Sequence, residues 1–206
     1  MKKKIMFVLS FLILLSGCNG FLRQTAEKTV NISRFTDVIF DDTELLPNTE
    51  FAWNMEIDEF MENTYGADVL DPNSKTFDSQ RYFYSKEQNV ATLSPPVYYN
   101  IDKIPAKAEV IYAFNEDGLF KSGYSWKFEE DKIEDLNETV SILINDLNSN
   151  SNLIKQTIDI PNVSENEAFN SPYIITWVLA DSPESSITLR LNKMKHTYLL
   201  DITICE

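Results

Sequence analysis

Ala108-Glu109-Val110-Ile111-Tyr112-Ala113-Phe114-Asn115-Glu116-Asp117-Gly118-Leu119-Phe120-Lys121-Ser122-Gly123-Tyr124-Ser125-Trp126-Lys127-Phe128 is the stretch that decides the fold. Val110, Tyr112 and Phe114 alternate on one side of Asn115-Glu116-Asp117-Gly118, and Phe120, Tyr124, Trp126 and Phe128 on the other. A period of two places each set on one face of a strand. Gly118 stands where a tight turn most often needs a positive φ. The expectation is an antiparallel hairpin with its aromatic face in the core and Lys121, Ser125 and Lys127 toward water.

Upstream, Tyr82 and Tyr84 repeat the same alternation, and Pro95-Pro96 cannot continue a central ladder, so it marks an edge, a bulge or a crossover. A first helix is expected after Asn54 as N-cap, with Ile57, Phe60 and Met61 on its apolar face, Glu56, Asp58, Glu59 and Glu62 elsewhere, and Gly66 as its stop. Downstream, Ile133, Leu136, Val140, Leu143 and Leu147 recur every three or four residues and form one stripe of a second helix, with Asp131 and Glu134 in capping-box spacing. A short strand near 153–160 and three longer ones over 173–180, 186–191 and 196–204 follow, with turns at 181–184 and 192–193. Helix then strands, twice, argues for an α+β domain: an antiparallel sheet with two main amphipathic helices packed on one face, arranged in one version as two α-β-β-type halves.

Phe51-Ala52-Trp53-Asn54-Met55 opening a helix, the Glu109–Phe128 hairpin, the Leu-rich helix and a strand carrying Trp177 resemble small secreted proteins of low-GC Gram-positive bacteria. Their helix-plus-sheet modules are similar to those of the beta-lactamase-inhibitor-protein-like group. The resemblance implies a protein that binds other proteins rather than one that does chemistry.

The N-terminus gives an address. Lys2, Lys3 and Lys4 precede the apolar run Ile5–Leu15, and Leu15-Ser16-Gly17-Cys18 reads as a lipobox. Eleven residues rise only about 16 Å as a helix, short of the roughly 30 Å hydrocarbon core, so cleavage is expected rather than a permanent span. Bacterial lipoproteins resembling this chain carry acyl chains of the palmitate type on the cysteine in Cys18's place, and two chains suffice for stable anchoring where one does not. The expected organisation is a signal peptide over 1–17, a lipidated N-terminus and tether over 18–48 that contributes one short strand near 35–40, and a single α+β domain over 49–206. The expected location is the extracytoplasmic face of a cell membrane, with the acylated Cys18 as the membrane contact.

The first 17 residues hold three of the 18 basic residues and none of the 32 acidic ones, which leaves 15 against 32, a formal charge of −17. Nucleic acid is an improbable partner, because phosphate binding needs clustered Lys and Arg. With Cys18 acylated, Cys205 is the one remaining thiol, so no internal disulfide forms, and no C-x-x-C pair supports structural zinc or redox chemistry.

Chemistry-bearing patterns are sparse. His196 is the single histidine, at a hairpin turn, and no nucleophile elbow, P-loop, dinucleotide fingerprint or H-E-x-x-H is present. Asp58 and Glu62 lie one helical turn apart, a spacing that more often marks a solvated face than a catalytic pair. Asp146-x-Asn148-x-Asn150 follows a calcium-loop frame with Leu153 at its eighth place, yet Ser151 replaces the turn glycine and Thr157 the bidentate glutamate. A polar helix exit is the expected reading, and no metal or cofactor is assigned. The expected function is a non-enzymatic binding or interaction module for a protein, peptide or envelope ligand. The alternative is a carboxylate-dependent cell-envelope hydrolase, which requires acids converging in one pocket with a raised pKa.

Overall fold

A computed structural model describes residues 26–156 and 173–206. Leu15, Ser16, Gly17 and Cys18 lie outside the described residues, as does the far end of the strand expected over 153–160. The fold is mixed α+β, with one large, mostly antiparallel sheet and few helices.

In chain order the elements are β1 (Lys28–Ile32), α1 (Thr36–Ile39), β2 (Phe40–Asp41), β3 (Glu44–Leu45), α2 (Ile57–Asn63), β4 (Tyr82–Ser85), β5 (Val90–Leu93), β6 (Val97–Ile101), β7 (Ala108–Asn115) and β8 (Gly118–Glu129). Then come α3 (Ile133–Ser149), β9 (Leu153–Lys155), β10 (Tyr173–Leu179), β11 (Ser186–Met194) and β12 (Thr197–Cys205). The strands pair in the order β1-β6-β7-β8-β12-β11-β10-β9, with β5 also on β7 and β4 outside it. Among the pairs of this sheet only β1 with β6 is parallel. β5 and β6 share one side of β7, at Ala91–Leu93 and Tyr98–Tyr99, and Pro95-Pro96 breaks the ladder between them because a proline has no N–H to donate.

The hairpin forms where the aromatic alternation places it, with Gly118 at φ 104°. A side chain at Gly118 is excluded twice over, since a Cβ there would sit 2.5 Å from the Asn54 carbonyl oxygen. One aromatic departs from expectation. The register shifts at Ala113/Phe114, so that Leu119 opposes Phe114, Lys121 opposes Ala113, and Phe120 is the extra residue of a bulge. A bulge reverses the alternation for one residue. Leu119 therefore takes the buried place expected of Phe120, and Phe120 is only half-buried.

The core lies on one face of the sheet, where Val110, Tyr112, Tyr124, Trp126, Leu189 and Ile202 are all but inaccessible. α3 buries Leu136, Val140, Leu143, Ile144 and Leu147, the stripe legible in the sequence. Its start differs from the expected capping box: residues 130–132 form a 3₁₀ turn, α3 begins at Ile133, and no side chain caps it. Glu130 instead accepts from Lys193 and His196, which pins the entry of the helix to the β11–β12 turn. Asn54 is likewise no N-cap. It adopts φ 61° and its N–H donates to Leu119 O at 2.9 Å, so α2 starts two residues later, with Glu56 in the N-cap place, and closes its core contact through Phe60 against Phe51, Tyr112 and Phe114.

Residues 28–48, expected as tether, are packed into the folded body. β1 pairs with β6, residues 36–39 are helical rather than extended, and Phe35, Val38, Ile39 and Leu45 belong to the core. Polar spacing hides this in the sequence, because the buried residues come in ones and twos on elements too short to show a period. Long-range polar contacts fasten the segment. Thr36 donates from both its N–H and its hydroxyl to the Asp146 carboxylate, each at 2.9 Å. Further on, Asn48 donates to the hydroxyls of Tyr99 and Tyr112, while Ser122 and Tyr124 donate to the Pro47 carbonyl at 2.9 and 3.1 Å. Burial is the chief cause that holds the Tyr99, Tyr112 and Tyr124 hydroxyls above the usual tyrosine range.

Candidate functional site

Alternation along a strand gives a sheet two faces, and here helices and loops bury one while the other carries the intervening residues. On the second face the ladders align side chains into rows that cross the strands. One row runs Arg190 (β11), Asp201 (β12), Ser125 (β8), Glu109 (β7) and Tyr98 (β6). The next holds Thr176, Thr188, Thr203, Gly123 and Ile111.

Side-chain bonds join parts of the polar row and tie its far end to Ser94 and Arg81. Ser125 Oγ donates to Asp201 Oδ1 at 2.7 Å, Ser94 Oγ donates to Glu109 Oε1 at 3.2 Å, and Arg81 reaches Glu109 at 3.8 Å while donating to the Tyr98 hydroxyl at 3.2 Å. Asp201 is half-buried, and that desolvation raises its carboxyl above its ordinary 3.8, against the opposing pull of the Ser125 hydrogen bond and of Arg190. A raised carboxyl in the native state costs stability as pH rises from the ordinary value through the raised one, because the unfolded chain sheds its proton first and the native form must then hold a half-buried charge. Asp201→Asn keeps an oxygen acceptor for Ser125 and removes the charge. Its thermal midpoint is expected above that of the parent at pH 7, with the gap closing as pH falls through and below 3.8, where both native and unfolded parent become protonated. Equal midpoints at pH 7 would contradict this.

Beside Asp201 a trough of about 390 Å³ opens along the Gly123 row. Ile111, Ala113 and Gly123 are in its floor, with Thr92, Thr203 and the bulged Phe120 around it and Lys121 at one end. Gly123 is not needed for backbone conformation. A Cβ there would meet nothing nearer than Ile202 O at 3.5 Å, an ordinary contact. The absent side chain is what leaves the floor low. Lys121 and Arg190 are exposed on this face and make no ion pair of 4.0 Å or less among the described residues. Lys121 lines the trough, while Arg190 stands in the neighbouring row opposite Asp201.

The residues singled out in the sequence fall elsewhere. Asp146 is spent on Thr36, Asn148 Oδ1 accepts from Trp177 Nε1 at 2.9 Å, and Asn150 Oδ1 accepts from the Asn152 N–H at 2.9 Å. These three side chains serve three separate partners, and no group of three or more His, Cys, Asp or Glu able to hold a metal occurs among the described residues. His196 is exposed, 3.2 Å from Glu130 and far in sequence register from the trough. Cys205 opposes Lys121 and Ser186 on the open face, and half-burial raises its thiol. Sequence reasoning did not single out Asp201, Ser125 or Gly123 as a site. The one available signal was Gly123 inside a strand pattern, a mark of a bulge or of close approach by another group. No described helix is long and apolar enough to cross a membrane. No protein-family model matches this chain, nor does any curated protein or solved structure.

Proposed function

We propose that this chain is a lipid-anchored, extracytoplasmic binding module that receives a protein, peptide or envelope ligand on the open face of its sheet. The observation that carries the reading is the trough over Gly123, bordered by Phe120, Lys121 and the Ser125–Asp201 pair. Concave sites with an apolar floor and a few placed polar groups are where ligands bind. In the same reading, α2 and α3 act as a joint cover over the other face, in two helix-plus-strand halves, and leave the open face for the partner. The lipobox Leu15-Ser16-Gly17-Cys18 supports the anchor, and with it the resemblance to secreted proteins that act by binding. Acylated Cys18 is then the membrane contact.

Two measurements test this. A photo-crosslinking side chain at Thr203 is expected to capture a partner in cells that the same group at exposed Glu138, on α3, does not; equal capture at both positions would overturn the assignment of the face. Cys18→Ala is expected to shift the protein out of the membrane fraction or leave it uncleaved, and full membrane retention after signal removal would overturn the anchor.

One observation favours the second reading, a carboxylate-dependent envelope hydrolase. Asp201, with its carboxyl raised, and Glu109 flank Ser125 on neighbouring strands, about 10 Å apart at the backbone. In that case Asp201→Asn would abolish turnover of an envelope polymer, whereas a binding module shows none to lose.

A further inference from the structure

We propose that the groove between α2 and residues 67–72 is a second docking site, for a cationic peptide segment that carries a large apolar side chain beside lysine or arginine. The groove measures about 580 Å³ and lies on the covered side of the sheet, where Tyr82 and Leu93 pair, away from the Gly123 trough. Its floor is apolar: Ile57 and Met61 from α2, Leu70, Tyr82 and Leu93. Its banks are acidic on both sides, Asp58 and Glu62 on α2 and Asp68 and Asp71 opposite.

The two banks follow from local structure. Ile57 and Met61, and likewise Asp58 and Glu62, are four residues apart and so lie in parallel rows along α2. On the far bank, Thr76 Oγ1 donates to Asp68 Oδ2 at 2.6 Å and the Asn73 N–H to Asp71 Oδ1 at 2.8 Å, which fixes both carboxylates at the rim. None of the four makes an ion pair among the described residues, and no lysine or arginine lines the groove. Four unneutralised carboxylates around an apolar floor attract cations and repel acids. The floor then selects among cations for those with an adjoining apolar group, and the unbranched Met61 side chain can adapt to its shape. A second copy of this chain is the wrong occupant on charge, at −14 per copy.

The test uses the unlipidated chain from Asn19 onward, which contains every described residue, and an acetylated hexapeptide of two lysines, leucine, phenylalanine and two lysines, followed by calorimetry. Saturable one-to-one binding is expected, weakening as salt rises from about 20 to about 500 mM. The double variant Asp58→Asn with Glu62→Gln should bind about tenfold more weakly, the loss of two exposed charge pairs. Met61→Gln, of equal length but polar, should weaken peptide binding about threefold and leave spermine binding unchanged. Absence of peptide binding would overturn the proposal. So would spermine binding as tightly as the peptide together with indifference to Met61→Gln, since the acids alone would then account for it. A doubled mass in light scattering, abolished by the peptide, would reassign the groove to self-association and also overturn it.

Discussion

Gly123→Val is expected to abolish capture of the open-face partner while leaving the protein folded and slightly more stable. The valine side chain would rise into the trough, between Ile111 and Thr203 on the neighbouring strands, and take the space a ligand group needs. The backbone accepts it, because a Cβ at this position meets only ordinary contacts at 3.5 Å and beyond, and φ there is not positive. Glycine inside a strand costs about 0.5–1 kcal/mol relative to alanine, and β-branched residues suit the pleated surface, so the folded state gains about 1 kcal/mol. Urea unfolding of parent and variant reads the stability, and crosslinking from Thr203 reads the binding. A fall of at least tenfold in capture is expected; undiminished capture by a folded Gly123→Val protein would remove the trough from the account. The opposite signs of the two readouts separate a ligand role from a structural one.

The largest loss of stability from a single polar side chain is expected at Asn48. Its side chain is 1% exposed and serves three groups: it donates to the Tyr99 and Tyr112 hydroxyls and accepts from the Glu50 N–H at 2.9 Å. Asn48→Leu matches the volume but withdraws every one of these bonds. A buried polar group left without its partner costs about 1–3 kcal/mol. With Tyr112 fully enclosed and Tyr99 nearly so, the expected destabilisation is about 3–5 kcal/mol by urea unfolding. Adding Tyr112→Phe should cost less in the Asn48→Leu background than in the parent, because the hydroxyl it removes is by then a liability. A loss under about 1 kcal/mol would mean that water or a rearranged neighbour takes over these bonds.

How much of this could be read from the chain depends on the length scale of each feature. The β7–β8 hairpin, α3 and the three C-terminal strands were legible because each repeats a period often enough to be unambiguous: Val110 to Phe114 and Tyr124 to Phe128 at two, Leu136 to Leu147 at three and four. Residues 28–48 were not, because β1 owes its place to pairing with residues 97–101 and the 47–48 corner owes its place to tyrosines 51 and more positions away. Phe120 was misplaced by one bulge, which no hydrophobic pattern records. The open-face row is the extreme case. Ser125 and Asp201 are 76 residues apart, and only the β8–β12 register brings them to 2.7 Å. Asp146 reversed the usual relation: its sequence frame suggested a cation, whereas its carboxylate in fact fastens α1 to α3.

The place of β12 sets a timetable. This strand is the last of the described elements in chain order, yet it lies in mid-sheet, paired on one side with β8 and on the other with β11. Before it arrives, β8 lacks a neighbour along its longest edge, and the β9–β11 group has nothing to join. A chain made from its N-terminus therefore cannot close this sheet until the nine residues of β12 are available. Joining the two halves of the sheet therefore comes late, after the other described strands have been made. Both the Gly123 trough and the Ser125–Asp201 pair come into being at that moment and not before.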